Sequence, residues 1–369
     1  MPRIILTVTN DLTYDQRMQR ICTTLAQNGY ETVLVGRKLK TSKPLEPKSF
    51  KQKRLRCFFN KGFLFYAEYN LRLFFWLLVQ KTDCFCAIDL DTILPVLFVS
   101  SLRNKKRVYD AHELFTEQIE IISRPFVHKV WLRIERFSVP RFKHGYTVNQ
   151  FIGDEFMRRY GVNYAVIRNL PVLTGEVPQP NNKQEKFIIY QGAVNEGRCF
   201  ETLIPAMQYV SAKLVICGDG NFFEQVKQLI AQYKVEGKVD LRGYVLPATL
   251  KTITPNARVA VTLFENTGLN QYYSLGNRFF DYIMAGVPQV CIGYPEYRAI
   301  NDIYNVALLI DDTDIKTIAD ALNKLLIDDV LYTLLAANCK TARLQLQWHA
   351  EEKKLVEFYE ALSHKPQPV

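Results

Sequence analysis

Apolar positions along the chain alternate between two periods. Ile4 to Thr9 is an almost unbroken β-branched run, the kind a parallel sheet buries on both faces. Asn10 to Thr13 supplies turn and cap residues. Met18, Ile21, Cys22 and Leu25 then recur at helical spacing, and Gly29 stops the helix. Glu31 to Val35 is the next strand. Strand, helix and strand in this order open a Rossmann-like domain. Further strands are predicted at Cys84 to Ile88, Lys106 to Tyr109, Gly145 to Val148 and Ala165 to Arg168.

Pro171 to Glu185 interrupts the pattern with three prolines and two adjacent asparagines, which suits an interdomain connection. The grammar then restarts. Strands are predicted at Phe187 to Tyr190, Lys213 to Cys217, Lys238 to Arg242, Arg258 to Phe264, Val287 to Ile292 and Ala307 to Ile310. Leu344 to Leu362 is helical, with Trp348, Leu355, Phe358, Tyr359 and Leu362 available for one face. The fold class predicted is α/β: two Rossmann-like domains facing a cleft, residues 1–170 and 171–343, followed by a C-terminal helix in 344–369.

Composition narrows the function. With 48% hydrophobic and 23% charged residues over 369 positions, the chain is globular. Its net charge of +10 suits an anionic partner, be it nucleotide, nucleic acid or lipid headgroup. Between Arg37 and Lys61 lie ten Lys or Arg and one acid, Glu46, nearly the whole excess. No helix-turn-helix, RNA-binding or zinc pattern is present, so nucleic acid is not the expected partner. The eight cysteines lack C-x-x-C spacing and read as buried hydrophobes in a reducing compartment. The first apolar run is too short for a signal peptide. A cytoplasmic location follows as an expectation. An NAD-dependent enzyme is disfavoured, because the first turn carries no glycine. Gly218-Asp219-Gly220 has Phe223 where a dinucleotide loop needs a third glycine, so it reads as a tight turn.

Candidate chemistry concentrates in three segments. Tyr272 to Val290 is a polar, Gly-containing loop leading into a short helix, Asn277 to Ala285, stopped by Gly286. Ser274 and Asn277 are N-cap types, so a helix N-terminus able to bind phosphate is expected there. Asp281, one turn on, can accept two hydrogen bonds from ribose hydroxyls. The residues alone are equally compatible with an ordinary capped helix and a solvated Asp281. Phe187 to Ile204 is a strand, a loop with Gly192 and Arg198, and a helix; Arg198 alone would read as an exposed arginine at a helix start. Arg107 to Glu117 places Asp110, His112 and Glu113 at the end of a strand, where open α/β sheets bind ligands; a buried structural histidine is the other reading.

The first of these segments resembles the donor-binding motif of retaining glycosyltransferases of family 4, which have the GT-B fold; one branch reads roughly S-L-P-N-K-x-F-E-Y-x-x-A-G-x-P. Ser274, Leu275, Asn277, Phe280, Tyr282, Ala285, Gly286 and Pro288 fall on pattern. Arg278 stands for the lysine, Gly276 for the proline and Asp281 for the glutamate. Of the family's two spaced glutamates, Asp281 takes the second place and Tyr273 the first. In the second segment Gly192 matches a family glycine and Arg198 falls on the lysine that grips the donor diphosphate. Ala193 and Cys199 replace an arginine and a glycine. In the third, His112 resembles the histidine that contacts the donor sugar. Asp89 and Asp91, in Ala87 to Thr92, resemble a further cleft-lining loop, and Asp15 would lie near the acceptor or cap a helix. The resemblance spans most of the chain.

That resemblance implies an enzyme moving a sugar from a nucleoside diphosphate sugar to a hydroxyl, with retention at the anomeric carbon. Its acceptor would be a saccharide or lipid-linked molecule in cell-surface polysaccharide synthesis. The donor-binding set would be Gly192, Arg198, Ser274, Leu275, Asn277, Arg278 and Asp281, with His112 and Arg198 catalytic. Asp15, Asp89, Asp91, Asp110 and Glu113 would line the acceptor side or cleft. Residues 1–170 would form the acceptor domain and 171–343 the donor domain, with the last helix crossing back to the first. No metal and no cofactor are expected beyond the donor substrate. Ala193 and Tyr273 motivate the alternative, a catalytically impaired sugar-nucleotide-binding or regulatory protein of the same fold.

One stretch stands outside this scheme. Phe58-Phe59 and the apolar Gly62 to Val79 follow the basic run, interrupted by Glu68, Asn70 and Arg72, with Glu68 and Arg72 spaced as an i, i+4 pair. It reads as a core helix after a solvated loop, or as a basic, aromatic edge resting on an anionic membrane surface through residues 37–80. The second reading makes the protein peripheral on the inner face of the membrane.

Overall fold

Contacts divide the chain into two compact units, Met1–Asn169 with His349–Val369 and Leu170–Trp348. The computed structural model describes residues 1–13, 15–173, 175 and 185–363. Most of the expected Pro171–Glu185 connection lies outside the described residues.

The first unit is a parallel sheet of β1 (Arg3–Thr7), β2 (Glu31–Lys38), β3 (Lys51–Arg56), β4 (Cys84–Ile88), β5 (Lys106–Ala111), β6 (Gly145–Thr147) and β7 (Ala165–Val166). Their order is β3-β2-β1-β4-β5-β6-β7. β1 and β4 pair at the centre, Ile4 against Cys84, where both faces are covered and apolar side chains are required. β3 departs from the predicted solvated loop. Its sequence, KQKRLR, carries no apolar run because it is an edge strand, paired among the described residues to β2 alone. Charged edge strands resist pairing with other chains.

Six helices connect these strands: α1 (Gln16–Gln27), α2 (Gly62–Val79), α3 (Ile93–Leu102), the single turn α4 (Ile119–Ile122), α5 (Pro125–Ser138) and α6 (Gln150–Tyr160). Asp15 caps α1, its carboxylate accepting from the Met18 N–H at 3.0 Å. Met18, Ile21, Cys22 and Leu25 form the buried stripe, as their spacing dictates. α2 buries Phe65, Tyr69, Leu73 and Leu77, one residue per turn. Among the described residues no helix is long and apolar enough to cross a membrane.

The second unit has β8 (Phe187–Gln191), β9 (Lys213–Cys217), β10 (Val239–Gly243), β11 (Val259–Thr262), β12 (Gln289–Ile292) and β13 (Ala307–Ile310), all parallel in the order β10-β9-β8-β11-β12-β13. Its helices are α7 (Phe200–Ala206), α8 (Phe223–Gln232), α9 (Pro247–Ile253), α10 (Leu269–Tyr272), α11 (Asn277–Ala285), α12 (Pro295–Tyr304), α13 (Ile315–Ile327) and α14 (Asp329–Ala342). In both units the first strand lies inside the sheet and the order reverses beside it, which places crevices beyond the carboxyl ends of the central strands.

The last helix, α15 (Trp348–Ser363), starts at Trp348 rather than at the predicted Leu344 and completes the first unit. Leu355 and Tyr359 are buried, and the Tyr359 ring packs edge-on against Tyr30 and Tyr146. Glu351 accepts the Arg168 N–H at 2.9 Å.

Candidate functional site

In the second unit, β8 ends at Gln191 and the chain turns through Gly192, whose φ of 121° is a left-handed value that favours glycine. Gly218, directly after β9, packs against it so closely that a Cβ would lie 1.8 Å from the Gly192 carbonyl oxygen. Gly220 is equally constrained, its absent Cβ falling 2.3 Å from the Val194 oxygen. Gly192 N–H donates to the Cys217 carbonyl and Val194 N–H to that of Asp219, both at 3.0 Å. The Gly218-Asp219-Gly220 turn is therefore a buttress that shapes the 192–198 loop.

α11 approaches this loop. Its N-cap is Gly276, not the predicted Ser274 or Asn277. The reason is space: a Cβ on Gly276 would lie 2.9 Å from the Phe264 ring and 3.2 Å from the Tyr297 hydroxyl, which accepts the Gly276 N–H. Ser274 precedes the helix, Leu275 packs on the core and Asn277 is exposed in the first turn. Arg278 is buried. Its guanidinium lies 4.2 Å from the Tyr190 ring centre and 5.3 Å from that of Phe264. It also lies 3.5 Å from where a side chain on Gly192 would begin. Arg198 covers the same Phe264 ring at 4.5 Å.

Two guanidiniums thus share one aromatic shelf beside a glycine loop. Burial opposes the Arg278 charge, but Tyr190 and Tyr282 hold its pKa above the ordinary value. Its Nη1 is buried with no hydrogen-bond partner. A cation so placed is short of an anion. One turn further along α11, Asp281 accepts from the Gln191 side chain at 3.2 Å, and Gln191 accepts from Thr254 at 2.6 Å. Gly192, Arg198, Arg278 and Asp281 are brought together, with Ser274, Leu275 and Asn277 at the start of the same helix. The aromatic shelf, Phe264 and Tyr190, was not singled out in the sequence, where both look like strand-end core residues.

The first unit gathers a second cluster. Ile88 pairs with Asp110 in register, so Asp89 and His112 follow adjacent strand ends. Asp89 adopts a left-handed φ of 52°, a strained backbone for a non-glycine residue. Its carboxylate accepts the His112 N–H at 2.9 Å and lies 3.2 Å from His112 Nδ1. On the far side of the ring, Nε2 is 3.3 Å from Asp110. Burial works against the imidazolium, but Asp89 and Asp110 outweigh it and raise the His112 pKa to about 10. Asp110 is fully buried; Arg17 and His112 overcome that burial and lower its pKa. Arg17, absent from the sequence-based set, donates to Asp110 at 2.9 Å and to the Ile167 carbonyl at 3.3 Å.

Asp91 joins the cluster with a different state. Burial drives its pKa up to about 7, the hydrogen bond from Thr9 opposes this, and Asp89 and Glu113 reinforce it. Glu113 accepts from the Gln118 side chain. Asp15 stands apart as the α1 cap, also accepting from Asn10 at 2.5 Å. Among the described residues no group of three or more His, Cys, Asp or Glu is arranged to hold a metal ion.

Residues 176–342 match the family model described as glycosyl transferases group 1. The glycine loop, both guanidiniums and Asp281 all lie within the matched segment. No curated protein matches the chain. Solved structures share its fold at low identity. Sucrose-phosphate synthase from Thermosynechococcus elongatus is 16% identical with a TM-score of 0.80, over 98% of this chain and 99% of that one. Anabaena HepE in complex with UDP-glucose is 10% identical with a TM-score of 0.74, over 98% and 100%. A TarM variant from S. aureus, in complex with Fondaparinux, alpha-GlcNAc-glycerol and UDP, is 12% identical with a TM-score of 0.71, over 99% and 100%. The two parallel Rossmann-like sheets are the fold that the chain shares with these structures.

Proposed function

We propose that this protein is a retaining glycosyltransferase that moves a sugar from a nucleoside diphosphate sugar to a hydroxyl of a saccharide or lipid-linked acceptor in cell-surface polysaccharide synthesis. The observation that carries this reading is the buried, partner-short Nη1 of Arg278 beside Gly192, with Arg198 on the same aromatic shelf. UDP-glucose in HepE supports the substrate class.

The barrier in such a reaction is separation of a developing oxocarbenium ion from a departing diphosphate. Preorganised cations lower it by stabilising the charge that accumulates on the leaving group. Arg198 and Arg278 fill that role, together with backbone N–H groups of the glycine loop. Guanidiniums suit phosphate because their fork donates paired hydrogen bonds. Sequence alone leaves one diphosphate cation unreplaced at Ala193; Arg278 supplies a charge next to that position from another segment. With protein cations on the diphosphate, the reaction is proposed to need no metal. Asp281 holds the ribose. His112, oriented by Asp89 and Asp110, is the catalytic histidine of this reading, and a donor phosphate oxygen takes the acceptor proton on the same face.

A panel of nucleotide sugars tests this by thermal shift, then by transfer to saccharide and lipid-linked acceptors with NMR assignment of the anomeric product. Wild type is expected to be stabilised by one donor and to turn it over with retention; Arg198→Ala and Asp281→Ala lose both. Binding without turnover would favour the catalytically impaired alternative. Stabilisation by none of the donors, or binding indifferent to both substitutions, overturns the proposal.

A further inference from the structure

α2 has two apolar faces. One, Phe65, Tyr69, Leu73 and Leu77, is buried against the sheet. The opposite stripe, Leu64, Leu71, Phe75 and Leu78, faces solvent, with Phe75 58% exposed. A surface helix of a soluble domain keeps one face polar. The neighbouring helices continue the surface. α3 packs on α2, and the Arg103 guanidinium at its end donates to the Leu77 carbonyl at 3.2 Å and to that of Gln80, fixing the two helix ends together. α3 exposes Phe98 and Leu102. α5 joins through Trp131, edge-on to Tyr66 of α2, and through Phe137 against Phe98. It exposes Phe126 at 79%.

The exposed charge on α5 and on β3, the two elements beside this apolar patch, is positive. α5 exposes Lys129, Arg133 and Arg136 along its own length, and Arg124 just before it. Lys61 and the β3 side chains Lys51, Lys53 and Arg56 are exposed at the other end of the patch, beside α2. Parts of the basic run are spent internally: Arg54 donates to the Asp11 carbonyl and Thr13, and Arg37 lies over the Phe65 ring. The one carboxylate of α2, Glu68, is closed off by Arg72 at 2.8 Å and by the Phe58 and Phe59 N–H groups. A second copy seated on this face would bring like charges together. Anionic lipid would meet them with opposite charge while taking up the phenylalanines.

We infer that α2, α3 and α5 form a membrane-docking face, lying on an anionic bilayer with the Phe75 and Leu71 side chains among the acyl chains and the α5 cations at the headgroups. The patch reaches well beyond residues 37–80 and does not depend on the transferase reading.

Sedimentation of the full chain with vesicles of phosphatidylcholine containing a quarter phosphatidylglycerol tests it, with neutral phosphatidylcholine vesicles as control. The protein is expected to co-sediment with the anionic vesicles and to be released by about 0.5 M salt. Phe75→Asp with Leu71→Asp should weaken binding about tenfold or more, through the loss of two inserted side chains and the gain of negative charge. Lys129→Glu with Arg133→Glu should weaken it about as much without touching the apolar stripe. Both variants should keep the wild-type melting temperature, since all four side chains are exposed. Absence of binding at low salt, equal binding to neutral vesicles, or variants that bind like wild type overturn the inference. So does a concentration-dependent dimer that Phe75→Asp with Leu71→Asp abolishes.

Discussion

Asp89 holds His112 at two points, accepting its backbone N–H at 2.9 Å and standing 3.2 Å from Nδ1 of its ring. The same carboxylate fixes where the histidine is and raises its proton affinity. Because the His112 pKa is raised above its ordinary 6.5, the resulting stability is complete below pH 6.5 and lost as pH rises through about 10. NMR of the imidazole should show a protonated ring at neutral pH. Asp89→Asn should lower its midpoint by about one unit or more. An unshifted midpoint in the variant would refute this account.

The pair of Arg17 and Asp110 predicts a stability effect. Their side chains are 5% and 0% exposed, so neither charge has water to fall back on. Arg17→Ala strands the Asp110 carboxylate with only His112 beside it. Denaturant unfolding should show a loss of about 3–5 kcal/mol, as for breaking other buried pairs. Arg17→Lys should recover part of it.

Gly218→Ala tests the buttress under the glycine loop. The added methyl falls 1.8 Å from the Gly192 carbonyl, a backbone atom that moves only with its loop. Overpacking of this kind costs about 1–3 kcal/mol. Calorimetric titration with the donor found by the panel should show weakened affinity alongside a lower melting temperature. Gly237→Ala, where a Cβ meets nothing within 4 Å, is the control.

Asp91 predicts the reverse sense of a usual carboxylate. Its pKa rises from 3.8 to about 7, so the folded state resists ionising it. The wild type loses stability on this account as pH rises from 3.8 through about 7. Asp91→Asn removes the ionisation while leaving an acceptor for Thr9. Its stabilising effect, followed by thermal melts, should grow over that window and level off above it.

The sequence made central strands legible because burial on both faces demands apolar runs, as in Cys84 to Ile88. β3 was not legible: as a charged edge strand it looks like a loop. At the site, Arg198 and Asp281 were singled out by a family resemblance, whereas nothing local in the sequence points to Arg17. Its link to Asp110 exists only because the sheet places β1 and β4 beside β5 and brings the start of α1 to their ends. The α11 cap was misassigned because side-chain preference favours serine and asparagine, while Phe264 and Tyr297 leave room only for glycine.

The place of α15 has a consequence for synthesis. Leu355 and Tyr359, which finish the core around Tyr30 and Tyr146, leave the ribosome only after the entire second unit has been translated. Until then the nascent first unit lacks the side chains that pack on Tyr30 and Tyr146, so its core closes only once the second unit has been made.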